Sequence, residues 1–166
     1  MRFRVDQIIE GARDEVEAAL VDPAFLDTLA SFGKIGAPEV LGHEDDGGAV
    51  RRRVRYRFTG DLNAAVRRMV DPTRLTWVEE STFDRATHRV DARIVPDSYG
   101  DWLTARYATR FDVEGDDRTR RVVEGDVTVH LPIVGRKVEG AIVSGLREHA
   151  EAEAVACARW LGRSAR

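Results

Sequence analysis

HLPIVGRKVEGAIVSGLREHAEAEAVACARWLG, residues 130–162, decides how this chain is read. Pro132 stands where the first helical residue is favoured, because its missing N–H is one that a helix start leaves unbonded anyway. From there the pattern stays helical to about Leu161, a rod of about 45 Å at 1.5 Å per residue. At about 100° per residue, Val138, Ile142, Gly145, Ala152, Ala156 and Trp160 share one side, and His149 falls in their midst. Ala141, Gly145, Ala152 and Ala156 are small, on a face where a solid core would place Leu or Phe. Either this helix borders an underfilled interior, as a binding cavity requires, or it lies close against a tightly packed sheet.

The rest of the chain supplies the sheet. "MRFRVDQII" alternates apolar and charged residues, the period of a half-buried first strand. "GARDEVEAALVD" and "PAFLDTLASF" carry Val16, Ala19, Leu20, Phe25, Leu26 and Leu29 at helical spacing, and Pro23 divides them into two short helices. Asp45-Asp46-Gly47-Gly48 is hairpin-turn chemistry inside "EVLGHEDDGGAVRRRVRYRFTG". Strands follow at about 49 to 59, 75 to 83, 86 to 95, 102 to 113 and 119 to 131, with a helical turn in "NAAVRRMV" between the first two. Asp84-Arg85 and Gly115-Asp116-Asp117 mark tight turns, and successive hairpins imply an antiparallel sheet. The fold class is α+β: a strand, two short helices, a six-stranded antiparallel meander and a long C-terminal helix.

That order resembles the helix-grip fold of the START-like superfamily, which includes lipid-transfer START domains, the birch-pollen-allergen type and bacterial polyketide cyclases. The resemblance covers essentially the whole chain, read as one domain over residues 1–166. "HLPIVGRKVEG", where the last strand runs into the final helix, looks like a signature of an uncharacterised bacterial branch. The resemblance implies a curved sheet wrapped round the C-terminal helix, with a cavity for apolar ligands between them. It supplies neither a substrate nor a catalytic motif.

Composition narrows the functions. With 43% hydrophobic and 33% charged residues and a net charge of −3, the chain reads as a soluble globular protein with no general attraction to nucleic acid. The N-terminus lacks the apolar core of a signal peptide, and no run of about 18 apolar residues exists to span a membrane, so a cytoplasmic location is expected. Cys157 is the only cysteine, which excludes an internal disulfide and suits a reducing compartment. His43, His88, His130 and His149 are scattered without the paired spacing of a helix-borne zinc site, so neither metal nor cofactor is expected. No phosphate-binding glycine loop or nucleophile elbow is present. The oligomeric state is left open.

Strand alternation assigns the inward residues. Val50, Val54, Tyr56 and Phe58 share one parity with Arg52, so Arg51, Arg53, Arg55 and Arg57 face out. Leu75, Trp77, Glu79, Ser81 and Phe83 point in, as do His88, Val90, Ala92 and Ile94. Leu103, Ala105, Tyr107, Thr109 and Phe111 join them, with Val123, Gly125, Val127 and Val129. A turn near residue 116 sets Tyr107 opposite Gly125, a pair expected to leave local room.

The candidate cavity lining is therefore Tyr56, Trp77, Glu79, His88, Tyr107, Gly145, His149 and Ala152. His149 either offers its ring nitrogens to a ligand or bonds a protein neighbour. Glu79, costly to bury as an anion, is a ligand anchor, a general acid or a structural partner of Arg52. The tyrosines offer phenol hydroxyls, and His88 sits near the turn end of its strand. The leading expectation is a binder or carrier of a small hydrophobic or amphipathic ligand, lipid or polyketide-like. The alternatives are a cyclase or hydratase using Glu79 and His149, and an interaction module using its arginine-rich outer face. The stronger reading of that outer face is a solvated surface of cross-strand ion pairs.

Overall fold

The computed structural model describes residues 1–29, 34–61, 64–68 and 70–163. The strands are β1 (Arg2–Glu10), β2 (Glu39–Asp45), β3 (Ala49–Arg57), β4 (Thr76–Asp84), β5 (Arg89–Pro96), β6 (Leu103–Val113) and β7 (Arg118–Val129). The helices are α1 (Arg13–Val21), α2 (Pro23–Thr28), α3 (Ala64–Arg67) and α4 (Gly135–Trp160). All seven strands join one antiparallel sheet in the order β1-β7-β6-β5-β4-β3-β2. The meander is thus closed on one side by the first strand, which pairs with the last from Arg2↔Asp126 to Glu10↔Arg118. α4 packs against β1 and β7.

Local chemistry sets the boundaries. The β2–β3 turn is held by Asp46, whose Oδ1 accepts from the Gly48 and Ala49 amides, while Gly47 takes a left-handed φ of 84°. Asp22 caps α2 by accepting from the Ala24 amide, with Pro23 at the first helical position. The later part of "PAFLDTLASF" and parts of "NAAVRRMV" fall outside the described residues.

Two expected boundaries shift for physical reasons. The last helix starts at Gly135 and not at Pro132, because Ile133 adopts a left-handed φ of 69° and Pro132–Val134 form a turn, the Gly135 amide donating to the Leu131 carbonyl. A Cβ on Gly135 would stand 2.5 Å from the Val129 carbonyl oxygen, so glycine lets the helix begin hard against the end of β7. β5 starts at Arg89, because His88 also has a positive φ, 53°, and belongs to the turn.

Two groups of buried residues hold the helix to the sheet. The larger joins Ile9, Val16, Phe25, Leu26 and Cys157 with Val50, Val54, Phe83 and Phe111 of the sheet. The smaller joins Phe3, Ala105, Val127 and Val143. Each fully buried Val, Leu or Phe contributes about 1.5–3 kcal/mol. Along α4 the smaller group uses Val143 and the larger uses Ala154 and Cys157, so residues 145–153 run between two solid anchorages.

The Tyr107↔Gly125 pairing is as expected. The room is not: a Cβ on Gly125 would lie 2.4 Å from the Arg106 carbonyl oxygen, 2.6 Å from Tyr107 Cβ and 2.9 Å from Phe3 Cε1. The absent side chain is used up by close approach of strand and ring. Gly145 differs, having nothing within 4 Å of its Cβ position.

Candidate functional site

Two adjoining cavities lie between the sheet and α4, and Leu146 lines both. The outer one, about 200 Å³, is walled by Trp77, Ile94, Leu103, Ala105, Ile142 and Gly145 and is almost wholly apolar. The inner one, about 100 Å³, gathers Arg52, Tyr56, Glu79, Tyr107, Arg121, His149 and Glu153. Strand parity puts the sheet residues there, and helical spacing adds His149 and Glu153, one turn apart.

Aromatic rings connect the two spaces. Tyr56 stacks on Trp77 with centroids 6.0 Å apart, and the His149 ring meets Tyr56 edge-on at 5.8 Å. Tyr107 and Glu79 line the inner cavity together, close enough for the Glu79 charge to act on the phenol. Burial, with the Glu79 charge adding to it, pushes the Tyr56 and Tyr107 phenols well above their ordinary range, so both stay protonated donors.

Arg52 does not pair with Glu79. It donates through Nη1 to the Leu20 carbonyl at 2.5 Å, and no carboxylate among the described residues stands within ion-pair distance of it. The charged pair of the chamber is Arg121 with Glu153, 2.5 Å apart. Arg121 is 3% exposed and also donates to Gln7 Oε1 and the Ala150 carbonyl. Burial alone would raise the Glu153 carboxyl, but Arg121, His149 and Arg52 outweigh it and hold it below its ordinary value.

Of the eight lining candidates, Tyr56, Glu79, Tyr107 and His149 border the inner cavity, and Trp77 and Gly145 the outer one. Ala152 is half-buried on α4 and borders neither. His88 also borders neither: its Nδ1 contacts both oxygens of buried Glu17 at 3.0 and 3.1 Å, fastening α1 to the β4–β5 turn. Sequence reasoning missed Arg121, although it shares the parity of Val123, and missed Glu153, although it follows His149 by four. Asp14, Glu17 and His88 have ligand atoms within 4.8 Å of one another, so they form a possible cation-holding group. Asp14 has Arg13 beside it at 3.6 Å.

The outer face of the sheet carries a wider, open depression of about 780 Å³. Its arginines are paired in place: Arg53 and Arg93 share Glu80, Arg51 meets Asp46, Arg89 meets Asp91, and Arg106 meets Asp126. Exposed pairs of this kind contribute about 0–1 kcal/mol each. They offset most of the basic excess on which docking of an acidic partner would rely.

A seven-stranded antiparallel sheet packed on one long C-terminal helix, with short helices after the first strand, is the helix-grip fold. TTHA0849 from Thermus thermophilus superposes with a TM-score of 0.70 at 17% identity, over 95% of this chain and 97% of that one. The Zhui aromatase/cyclase from Streptomyces sp. R1128 gives 0.59 at 17% identity, over 94% and 87%. A START superfamily protein from Mycobacterium smegmatis gives 0.57 at 15% identity, over 91% and 92%. No curated protein matches the chain in sequence. The chain belongs to the family described as protein of unknown function DUF2505, whose model matches residues 4–161. No helix among the described residues is long and apolar enough to cross a membrane.

Proposed function

We propose that the protein binds a small hydrophobic or amphipathic molecule between the sheet and α4, acting as a cytoplasmic carrier or sensor. The observation that carries this reading is the division of the interior at Leu146 into an apolar space and a polar one. An amphipathic molecule matches that division, its apolar body gaining from burial in the outer space and its polar end meeting Tyr56, Glu79, Tyr107 and His149 in the inner one. Likeness in fold to an aromatase/cyclase and a START superfamily protein is in keeping with it. Cys157 takes no part: it is buried, and burial pushes its thiol up to about 12.

Native mass spectrometry of the purified protein, followed by denaturing extraction, tests the proposal; a protein that stays empty and takes up no member of a lipid and polyketide library would refute it. Gly145→Leu sharpens the test. A leucine side chain there enters open space, and leucine favours helix over glycine by about 0.8 kcal/mol. The variant is expected to melt at or above the wild-type temperature while its ligand uptake falls at least tenfold. Destabilisation of the ligand-free variant by 1–3 kcal/mol, roughly the cost of overpacking a filled core, would mean that no usable space exists.

The gathering of Glu79, Tyr107 and His149 in one cavity favours a second reading, an enzyme of cyclase or hydratase type in which Glu79 and His149 move protons on the bound molecule. Once native extraction names a candidate substrate, Glu79→Gln and His149→Ala should each lower turnover at least about a hundredfold. Unchanged turnover in both variants would leave the binding reading alone standing.

A further inference from the structure

The inner chamber holds guanidinium donors that the protein's own acceptors leave unused, and they point to the group that fits it. Two of its carboxylates are engaged, Glu153 by Arg121 and Glu17 by His88, and Glu79 lies beside Tyr107 in the same cavity. Its guanidiniums are not fully used. The buried Nε–H of Arg121 has no acceptor, and Arg52, although half-buried, gives one bond to a backbone carbonyl and meets no carboxylate. A buried N–H without a partner is costly, so a bound group should supply acceptor oxygens.

Charge decides which acceptor. Glu17, Glu79 and Glu153 face the chamber against Arg52 and Arg121, with His149 on α4, His88 behind Glu17 and the Tyr56 and Tyr107 phenols as the remaining titratable groups. A carboxylate head would enlarge the anionic excess inside a space where charge is poorly screened. An ammonium would meet the same guanidinium donors and offer no acceptor. Size adds a bound: the inner cavity, about 100 Å³, is half the outer one's 200 Å³, so the polar end lodged there is the smaller part of the molecule.

From these observations we infer that the site selects an uncharged carbonyl head (ketone, ester or amide), received by Arg52 on β3 and carried on an apolar body in the outer cavity. The inference rests on the cavity reading above and names the class of molecule that the cavity takes.

Isothermal titration at pH 8 with four eight-carbon probes, 2-octanone, 1-octanol, octanoate and octylamine, separates the possibilities. 2-Octanone is expected to bind at least tenfold more tightly than octanoate or octylamine. Arg52→Met should weaken 2-octanone binding at least tenfold, since it removes the donor and keeps the bulk. Glu79→Gln, which deletes one negative charge, should move the octanoate to 2-octanone ratio at least tenfold toward octanoate, and it decides the matter where Arg52→Met does not fold. Octanoate binding as tightly as the ketone, or ketone binding unmoved by Arg52→Met, or the ratio unmoved by Glu79→Gln, overturns the carbonyl assignment while 1-octanol binding leaves the cavity reading intact. Failure of all four probes overturns both.

Discussion

Arg121→Met is expected to destabilise the protein by about 3–5 kcal/mol at neutral pH, the cost of leaving the partner of a buried ion pair alone. Glu153 would keep its place beside the chamber without the cation 2.5 Å away, and the Gln7 side chain and the Ala150 carbonyl would lose a donor. The pH profile should change sign as well. In the wild type the Glu153 carboxyl is held below its ordinary value of 4.5, so its contribution is present above that pH and is lost as pH falls through the depressed value. In the variant, burial opposed only by His149 and Arg52 raises the carboxyl. The contribution is then present at acid pH and is lost as pH rises through the raised value. Urea unfolding between pH 4 and 7.5 should show the gap between the two proteins widening with pH. Parallel profiles would show that Arg121 does not control this carboxylate. Arg121→Met with Glu153→Met should recover most of the loss, because two apolar side chains replace the pair without stranding a charge.

Gly125→Val is expected to cost about 3 kcal/mol or more, at the upper end of overpacking penalties. Strand propensity argues the other way, since valine is preferred over glycine in sheets by up to about 1 kcal/mol. The sign of the change therefore tells which effect controls this position. Packing should win because the nearest obstacle is a backbone carbonyl, that of Arg106 at 2.4 Å, which cannot swing aside as a flexible side chain can. Chemical denaturation would read the difference as a lower midpoint at unchanged slope. A variant as stable as wild type would show that β6 and β7 can part locally at no cost. Beside Gly145→Leu, the pair tests one molecule at two glycines for opposite outcomes.

Much of the fold was legible because two periodicities are physically enforced. Alternation on a sheet with one buried face put Val50, Val54 and Tyr56 inside and Arg51, Arg53 and Arg57 outside, and their burial follows that order. Helical spacing set His149 on the face of α4 that borders the chambers. What stayed hidden depended on distance between chain segments. Arg121 obeys the inward parity, yet an arginine in a strand flanked by Arg118 and Arg120 reads as surface until Glu153, 32 residues away, is seen to meet it. Glu17 and His88 are 71 residues apart, and neither has a local signal for the other. The helix start was misplaced because a proline followed by a left-handed isoleucine makes a turn with the same residues that would have opened a helix. Tyr107 over Gly125 was the right neighbourhood with the wrong inference, since a missing side chain can admit a backbone as readily as a ligand.

The pairing of β1 with β7 bears on synthesis. The strand made first finds its partner only when the chain has been extended to Val129. At 5–20 residues per second that is a wait on the order of ten seconds, during which the nascent "RFRVDQIIE" has no neighbouring strand. Its alternating charges, Arg2, Arg4 and Asp6, are the kind of gatekeeper that keeps such a segment from pairing with another nascent chain. A ribosome stalled before β7 would release a sheet with β6 as its uncovered rim and a loose N-terminal strand able to fill that rim in a neighbouring molecule.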